Sequence, residues 1–215
     1  MKKKVYYLDE MQTKFLFSPI RNKKDLIDVL LQAVKVMLIG NDAPEDKAVS
    51  KMVLVVDKMS RLFFCSDEKI FSINFPFLVD LSKDGSACFY SKQGFPVDSR
   101  ATSLFMSVFN EHIYGVSDVE EFAYSVIDVN EEYSGQLNDF WIFFKEVVLF
   151  EDGYLRFDYD TERQDERLHP LSHVDVYYSN SNTFKIGLYS RIDFDGFFDI
   201  INVGSEVYYM SPFKS

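Results

Sequence analysis

The sequence predicts an α+β fold in which a mostly antiparallel sheet packs with several amphipathic helices. Apolar residues recur at three- and four-residue spacing over residues 24–38 and again over 137–148, which is typical of amphipathic helices. Short β-branched and aromatic runs fill much of 51–90 and 154–192, as in strands. Because the helices and strands are grouped instead of strictly alternating, antiparallel pairing is favoured over a doubly wound parallel sheet.

The N-terminal half begins with the helix at 24–38, which Gly40 and Asn41 terminate. A polar loop follows, and then an apolar run at 51–58 that predicts a buried strand, with a helix as the alternative. The apolar runs between residues 62 and 90 are separated by charged residues, Pro76 and a Lys-Asp-Gly turn, so they predict a small antiparallel meander.

The C-terminal half begins with helices and then becomes β-rich. Side chains of the helix at 137–148 follow the i, i+3, i+4, i+7 rule, with the single Trp on its apolar stripe. A turn-rich quartet at 179–182 separates two strands and predicts a hairpin. The predicted elements are helices 101–112, 118–129 and 137–148, strands 154–160, 173–178 and 183–192, a loop with a short helix at 193–203, and a strand at 206–213.

The length of 215 residues fits a single α+β domain, with an N-terminal part at 1–115 and a motif-bearing part at 116–215 as a subdivision. Hydrophobic residues make up 47% of the chain, enough for a large core. The two cysteines, Cys65 and Cys88, lie in apolar contexts, which predicts buried free thiols in a reducing cytoplasm. No stretch reaches the roughly 18 apolar residues of a membrane span, so no membrane partner is expected.

The formal net charge of −11 disfavours binding of nucleic acid by the whole surface, because phosphate is repelled. Nucleic acid is therefore expected only through a local basic surface or through a partner. An acidic chain suits a protein partner with a basic face. The sequence contains no P-loop, dinucleotide-binding or nucleophile-elbow motif, and Arg191 and Asn202 stand where a calcium loop based on Gly196 needs acidic ligands.

One stretch, from Tyr154 to Tyr178, carries two of the three histidines beside several acidic residues. Side chains alternate along a strand, so the polar residues of 155–160 share one face, as do those of 173–177. If the two strands are neighbours, these polar faces align, with one histidine at the rim. The candidate catalytic residues are Arg156, Asp158, Asp160, His169, His173 and Asp175.

Two kinds of chemistry suit this set of residues. Imidazole and carboxylate groups bind divalent metals, which makes His169, His173 and Asp158 candidate ligands and a divalent metal the candidate cofactor. Without a metal, a histidine can act as general acid or base, and Arg156 can clamp a phosphate or carboxylate. The alternative is a solvated sheet face with a cross-strand ion pair between Arg156 and Asp158.

The pattern Arg156-Phe157-Asp158-Tyr159-Asp160, followed by His169-Pro170-Leu171-Ser172-His173-Val174, resembles the R-[FY]-D-[FY]-D … H-P-x-S-H-[LV] signature of a bacterial family of unknown function. That family occurs in mobile and defence-linked gene neighbourhoods. The resemblance covers about residues 153–198, and the acidic spacer at 160–167 departs from the pattern. It implies no catalytic assignment, because the family has no activity to transfer.

Two functional hypotheses follow. The first is an acidic, cytoplasmic interaction or regulatory protein of a bacterial defence or toxin–antitoxin-like system, which binds a protein partner. The second is a metal-assisted or histidine-based phosphodiesterase, nuclease-like and acting on nucleic acid or a nucleotide. The second requires that the candidate side chains converge and that both histidines point to one place.

Overall fold

The computed structural model describes residues 2–40, 42–82, 86–112, 136–179 and 182–206. These residues form a seven-stranded sheet, a two-stranded sheet and several helices, which confirms the predicted α+β class. The elements are β1 (Lys2–Leu8), α1 (Glu10–Leu16), α2 (Lys23–Ile39), a 3₁₀ turn (Glu45–Lys47), β2 (Ser50–Val56), β3 (Ser60–Cys65), β4 (Lys69–Asn74), β5 (Leu78–Leu81), β6 (Ala87–Tyr90), α3 (Ser99–His112), α4 (Leu137–Leu149), β7 (Leu155–Tyr159), β8 (Ser172–Ser179), β9 (Asn182–Leu188) and α5 (Phe194–Ile201).

The large sheet has the strand order β1-β2-β3-β4-β7-β8-β9. Every neighbouring pair from β2 to β9 is antiparallel, as predicted. β4 and β7 are neighbours although about 80 residues of chain separate them, and this pairing places the motif-bearing strands in the large sheet. The hairpin predicted around 179–182 is confirmed as β8 and β9.

The chain forms two compact units, and both are discontinuous in sequence. The first unit combines Met1–Val5, Ser50–Asn74 and Gly153–Ser215. The second combines Tyr6–Val49 and Phe75–Asp152. The whole of the motif at 154–178 therefore belongs to the first unit.

Helix α5 covers one face of the sheet in the first unit. Asp193 caps the helix, since its Oδ1 accepts a hydrogen bond from the backbone N–H of Gly196 at 2.9 Å. Phe197 is fully buried and packs edge-on against Phe63 and Phe157, with ring centroids 5.6 and 4.7 Å apart. Burying this aromatic cluster stabilises the unit, because apolar burial scales with the area removed from water. The opposite face of β7, β8 and β9 carries the polar residues.

Arg61 binds the two residues of the first unit, Asn74 and Gly153, that flank residues 75–152 in the sequence. Its Nε donates to Ser72 Oγ at 2.8 Å and its Nη1 to Asn74 Oδ1 at 2.6 Å, while Nη2 donates to the Gly153 carbonyl. Asn74 is the last residue before the chain leaves the first unit, and Gly153 is where it returns. Burial lowers the pKa of Arg61 to about 10, so these hydrogen bonds hold a partly desolvated guanidinium.

The second unit has a phenylalanine-rich core. Helix α2 begins at a capping box of Asn22 and Asp25 and ends at Gly40, which has φ +64°, as the stop signal predicted. Helix α4 confirms the predicted helix at 137–148, although Trp141 is only half-buried on its stripe. The fully buried phenylalanine side chains are supplied by α3 and α4, namely Phe105, Phe140 and Phe143.

Several predictions need correction. The segment 62–90 is not one meander, because β3 and β4 continue the large sheet while β5 and β6 form a separate two-stranded sheet. Cys65 is buried, but Cys88 is exposed, since it alternates with the buried Ala87 and Phe89 on β6. The structure also adds β1 and α1, which the sequence pattern did not predict. The helix predicted at 118–129 and most of the strand at 206–213 lie outside the described residues.

None of the helices in the described part of the chain is long and apolar enough to cross a membrane.

Candidate functional site

The ladder between β7 and β8 brings the predicted polar faces together. Arg156 lies opposite Asp175, and Asp158 lies opposite His173. Because side chains alternate, all four project from the sheet face opposite to α5. The alignment predicted from the sequence is therefore present in the structure.

Strand β9 extends this polar face by two positions. Lys185 lies opposite Asp175, and Gly187 lies opposite His173. A Cβ atom on Gly187 would lie 3.0 Å from Cγ of Pro170, so glycine allows the Pro170 ring to approach the sheet closely. The Pro170 carbonyl is thereby held beside His173.

Two cations bind the two carboxylates at the centre of the face. Arg156 Nη2 forms ion pairs with Asp175 Oδ2 and, at 2.9 Å, with Asp158 Oδ2. Lys185 Nζ donates to Asp175 Oδ1 at 2.6 Å. Asp175 is almost fully buried, and such a carboxylate is stable only when cations or N–H donors bind it. The four charges form one network across three strands.

His173 is completely buried beneath this network. Its Nδ1 lies 2.7 Å from the Pro170 carbonyl oxygen, which can only accept, so Nδ1 carries the proton. Its Nε2 lies 2.8 Å from Lys185 Nζ, which can only donate, so Nε2 is the acceptor. Both ring nitrogens are thus used inside the protein, and His173 orients Lys185.

His169 lies at the rim of the face and is partly exposed. Its Nε2 is 3.2 Å from Asp160 Oδ2, and its ring meets that of His173 edge to face with centroids 4.7 Å apart. The pKa of Asp160 is lowered, chiefly by a backbone hydrogen bond from Arg163. An ionised carboxylate only accepts hydrogen bonds, so Asp160 holds the proton of His169 on Nε2 and leaves Nδ1 as an acceptor. This arrangement is typical of an oriented general base.

The two central carboxyls have opposite pKa shifts. Burial raises the pKa of Asp158, and the nearby Arg156 only partly offsets that effect. Burial also acts on Asp175, but the hydrogen bond from Lys185 and the charge of Arg156 outweigh it and lower the pKa. Asp175 is therefore a firmly ionised anchor for the cations.

Lys69 belongs to the same face, because it lies opposite Asp158 in the ladder between β4 and β7. Burial, reinforced by the charge of Arg156, lowers the pKa of Lys69 to about 8. Its ammonium also lies 5.1 Å from the ring centroid of Phe71. A lysine with this pKa holds a proton at neutral pH and releases it more readily than an ordinary lysine.

The side chains that lie close enough together to hold a metal ion differ from the predicted ligands His169, His173 and Asp158. The oxygen and nitrogen atoms that lie within 4.8 Å of one another belong to Asp158, His173 and Asp175, whereas His169 binds Asp160 instead. Lys185 Nζ bonds to two of those three side chains. A metal ion at this position would have to displace that ammonium, so the donor set fits a bound cationic side chain better than an ion.

All six predicted catalytic residues lie in or beside one cluster, with His169 and Asp160 at its rim and the other four at its centre. Lys69 was missed, because its place depends on the pairing of β4 with β7 and no local sequence signal predicts that pairing. Tyr189 and Arg191, which the sequence pattern assigned to the strand of Lys185, lie beyond the end of β9. No protein-family model, curated protein or solved structure matches this chain.

Proposed function

We propose that this chain is a metal-independent hydrolase of phosphate esters that uses His169 as its acid–base group. The observation that carries the proposal is the position of the two histidines, whose rings are in contact. Asp160 binds Nε2 of His169, whereas the Pro170 carbonyl binds Nδ1 of His173. The second functional hypothesis required both histidines to point to one place. Their rings are in contact, but His173 is fully buried and its two nitrogens bind Pro170 and Lys185, so His169 alone is assigned the reacting role. A histidine oriented by a carboxylate, beside lysine and arginine side chains, suits cleavage of an anionic ester.

The residues divide into a reacting group and a supporting group. In the proposed reaction His169 Nδ1 accepts a proton from the attacking water, and the P–O bond to the leaving oxygen breaks. Lys69 is the candidate that gives the leaving oxygen a proton, since its lowered pKa of about 8 makes proton release easier. Arg156 and Lys185 supply positive charge for the phosphoryl oxygens.

The buried pair of His173 and Asp175 supports these cations. Asp175 binds both Arg156 and Lys185, and His173 accepts a hydrogen bond from Lys185. Neither residue has appreciable exposed surface, so each acts through the side chains that it positions. Fixing long cationic side chains in advance lowers the entropy cost of binding an anion.

The proposal is tested by cleavage assays on bis(p-nitrophenyl) phosphate, an RNA oligonucleotide and a nucleoside monophosphate, each with and without excess EDTA. We expect wild-type cleavage of at least one substrate and a loss of at least about 100-fold in His169→Gln, the usual scale for a general base. Lys58→Gln, which changes an exposed lysine of the same unit, is the matched control and should keep full activity.

Three results would contradict the proposal. These are no cleavage of any substrate by the wild type, equal rates for the wild type and His169→Gln, and complete loss of cleavage in EDTA. The last result would favour the metal-assisted mechanism, with Asp158, His173 and Asp175 as the ligand set.

A second candidate function is that of a cytoplasmic interaction protein in a bacterial defence or toxin–antitoxin-like system. Met11 and Phe15 support it, because they lie at i and i+4 on α1 and are 69% and 57% exposed. Exposed apolar neighbours on a chain of net charge −11 suit a partner with an apolar and basic face.

This candidate is tested by co-purification with the products of adjacent genes. Met11→Ser with Phe15→Ser should abolish capture, and Leu78→Ser, an exposed apolar residue elsewhere in the same unit, should not. Capture that survives the double substitution would exclude α1 as the binding surface.

A further inference from the structure

A second candidate site lies on the sheet face opposite to the histidine cluster. A cavity of about 370 Å³ opens between the sheet and the start of α5. Cys65 and Ile70 on β3 and β4 contribute to its lining, and Ile70 points away from the cluster because it alternates with Lys69. The cavity lies entirely within the first unit. Its volume falls in the range of small-molecule sites.

The lining combines an apolar floor with two cations, Lys51 and Arg191, and one carboxylate, Asp193. Cys65 and Ile70 are 7% exposed, and the ring of Phe194 forms a further apolar wall. Lys51 and Arg191 line the sides. An apolar floor with a few convergent charges is the usual composition of a ligand pocket.

A third cation adds to the positive charge around Phe194. Lys3 Nζ lies 4.2 Å from the Phe194 ring centroid, and Lys51 Nζ lies 5.8 Å from it. Neither lysine forms an ion pair with any residue that the structure describes. On a chain of net charge −11, two lysines that have no carboxylate partner among the described residues give this site a local positive charge that suits an anion.

The nearby acidic groups do not neutralise these lysines. Asp193 Oδ1 accepts the backbone N–H of Gly196 as the cap of α5. Asp67 is fully exposed and lies 3.7 Å from Arg191, which also stacks over the Tyr159 ring at 5.3 Å. An exposed pair of this length contributes little, so the guanidinium can exchange it for a ligand.

We propose that this cavity binds a small organic carboxylate with an aromatic or aliphatic body. The carboxylate binds Lys51 and Arg191, and the apolar body packs on Phe194, Ile70 and Cys65. The burial of the body supplies affinity and the cations select the charged form. This site is independent of the phosphate-ester chemistry proposed for the other face.

The test is an amide-detected NMR titration of ¹⁵N-labelled full-length protein with 3-phenylpropionate, hexanoate and indole-3-acetate, each beside its neutral amide. We expect at least one acid to shift the amides of Lys51, Cys65 and Arg191–Phe194 with a Kd of about 1 mM or lower. The matching neutral amide should bind at least about tenfold more weakly, because it lacks the charge that the cations recognise.

A charge-removing variant and a matched control make the test specific. Lys51→Gln with Arg191→Gln should weaken the acid about tenfold or more, and Lys58→Gln, an exposed lysine of the same unit, should leave its affinity unchanged. Equal affinity for an acid and its amide would overturn the proposal even if the variants failed to fold. So would the absence of shifts at the cavity with all three acids at ten times the expected Kd.

Discussion

The rings of His169 and His173 lie edge to face with centroids 4.7 Å apart, yet the protein binds opposite nitrogens of the two rings. Asp160 binds Nε2 of His169, and the Pro170 carbonyl binds Nδ1 of His173. Because an anionic carboxylate and a carbonyl both accept, the two histidines have opposite tautomers. His169 therefore keeps Nδ1 for proton transfer, whereas His173 uses both of its ring nitrogens in hydrogen bonds within the protein.

The different roles of the two histidines predict that their replacement by alanine lowers stability by unequal amounts. His173→Ala should lower the free energy of unfolding by about 2 kcal/mol, because it removes a fully buried ring, leaves the Pro170 carbonyl without its hydrogen-bond donor and takes away one of the two acceptors of Lys185. His169→Ala should cost less than about 1 kcal/mol, since that side chain is at the rim and partly solvated. Urea unfolding followed by far-UV circular dichroism measures both. Equal losses would show that His169 is as structural as His173.

The ion pair between Lys185 and Asp175 should couple more strongly than a surface pair. A double-mutant cycle of Lys185→Gln and Asp175→Asn is expected to give a coupling energy of about 1 kcal/mol, because Asp175 is almost fully buried. The control cycle is Lys23→Gln with Asp152→Asn, a 3.4 Å pair of two more exposed side chains, expected to give less than about 0.5 kcal/mol. A larger value for the control would contradict this reading of the buried network.

The lowered pKa of Asp175 predicts a specific acid dependence of stability. The ionised form is favoured in the folded state, so its contribution is complete above the unfolded aspartate pKa of about 3.9. That contribution is lost as pH falls through the lower folded pKa. Asp175→Asn should therefore be less stable than the wild type at pH 7, and the two stabilities should converge below about pH 4. A constant difference across that range would refute the shift.

Asp158 should behave in the opposite sense, because burial raises its pKa in the folded state. The protonated form is favoured by folding, so its contribution is present below the unfolded pKa and is lost as pH rises through the folded pKa. Relative to the wild type, Asp158→Asn should gain stability as pH rises from about 3.9 upward. Urea unfolding at a series of pH values measures this trend, and an opposite slope would contradict it.

The contacts of Arg61 and Asn74 around Gly153 predict that replacing this glycine costs more stability than replacing another glycine with positive φ. A Cβ at Gly153 would lie 2.9 Å from Asn74 Nδ2 and 3.0 Å from Arg61 Nη1, on a backbone with φ +54°. Gly40 is the matched control, since it has φ +64° but nothing within 4 Å of its Cβ position. Gly40→Ala should cost about 1 kcal/mol from backbone strain alone, and Gly153→Ala should cost about 2 kcal/mol or more. Equal losses of stability for the two variants in thermal unfolding would indicate that the Arg61 side chain moves aside at no energetic cost.

The sequence predicted elements whose pattern is local. Helices α2 and α4 follow from their apolar periodicity, and α2 also has a glycine stop signal at its C-terminus. The hairpin of β8 and β9 follows from its turn residues. The short helix α1 escaped prediction because seven residues make only about two helical turns. The edge strand β1 escaped because it opens with three lysines, so apolar and polar residues do not alternate along it.

The candidate site was predictable where it depends on alternation within neighbouring strands. Arg156, Asp158, His173 and Asp175 share a face because β7 and β8 pair with the register that alternation allows. The place of Lys69 depends on the distant pairing of β4 with β7. The difference between the histidines depends on Pro170 and Asp160, whose backbone and side-chain directions are fixed only by the folded chain.

The central claim, that the two histidines have different tautomers and so different roles, is tested most directly by long-range ¹H–¹⁵N NMR of the imidazole rings. His169→Gln and His173→Gln assign the two ring signals. We expect the neutral ring of His173 to be protonated on Nδ1 and that of His169 on Nε2. If His169 is instead protonated on Nδ1, the nitrogen assigned to proton transfer is not available. If His173 is protonated on Nε2, it cannot accept the hydrogen bond from Lys185. Either result would contradict the different roles of the two histidines.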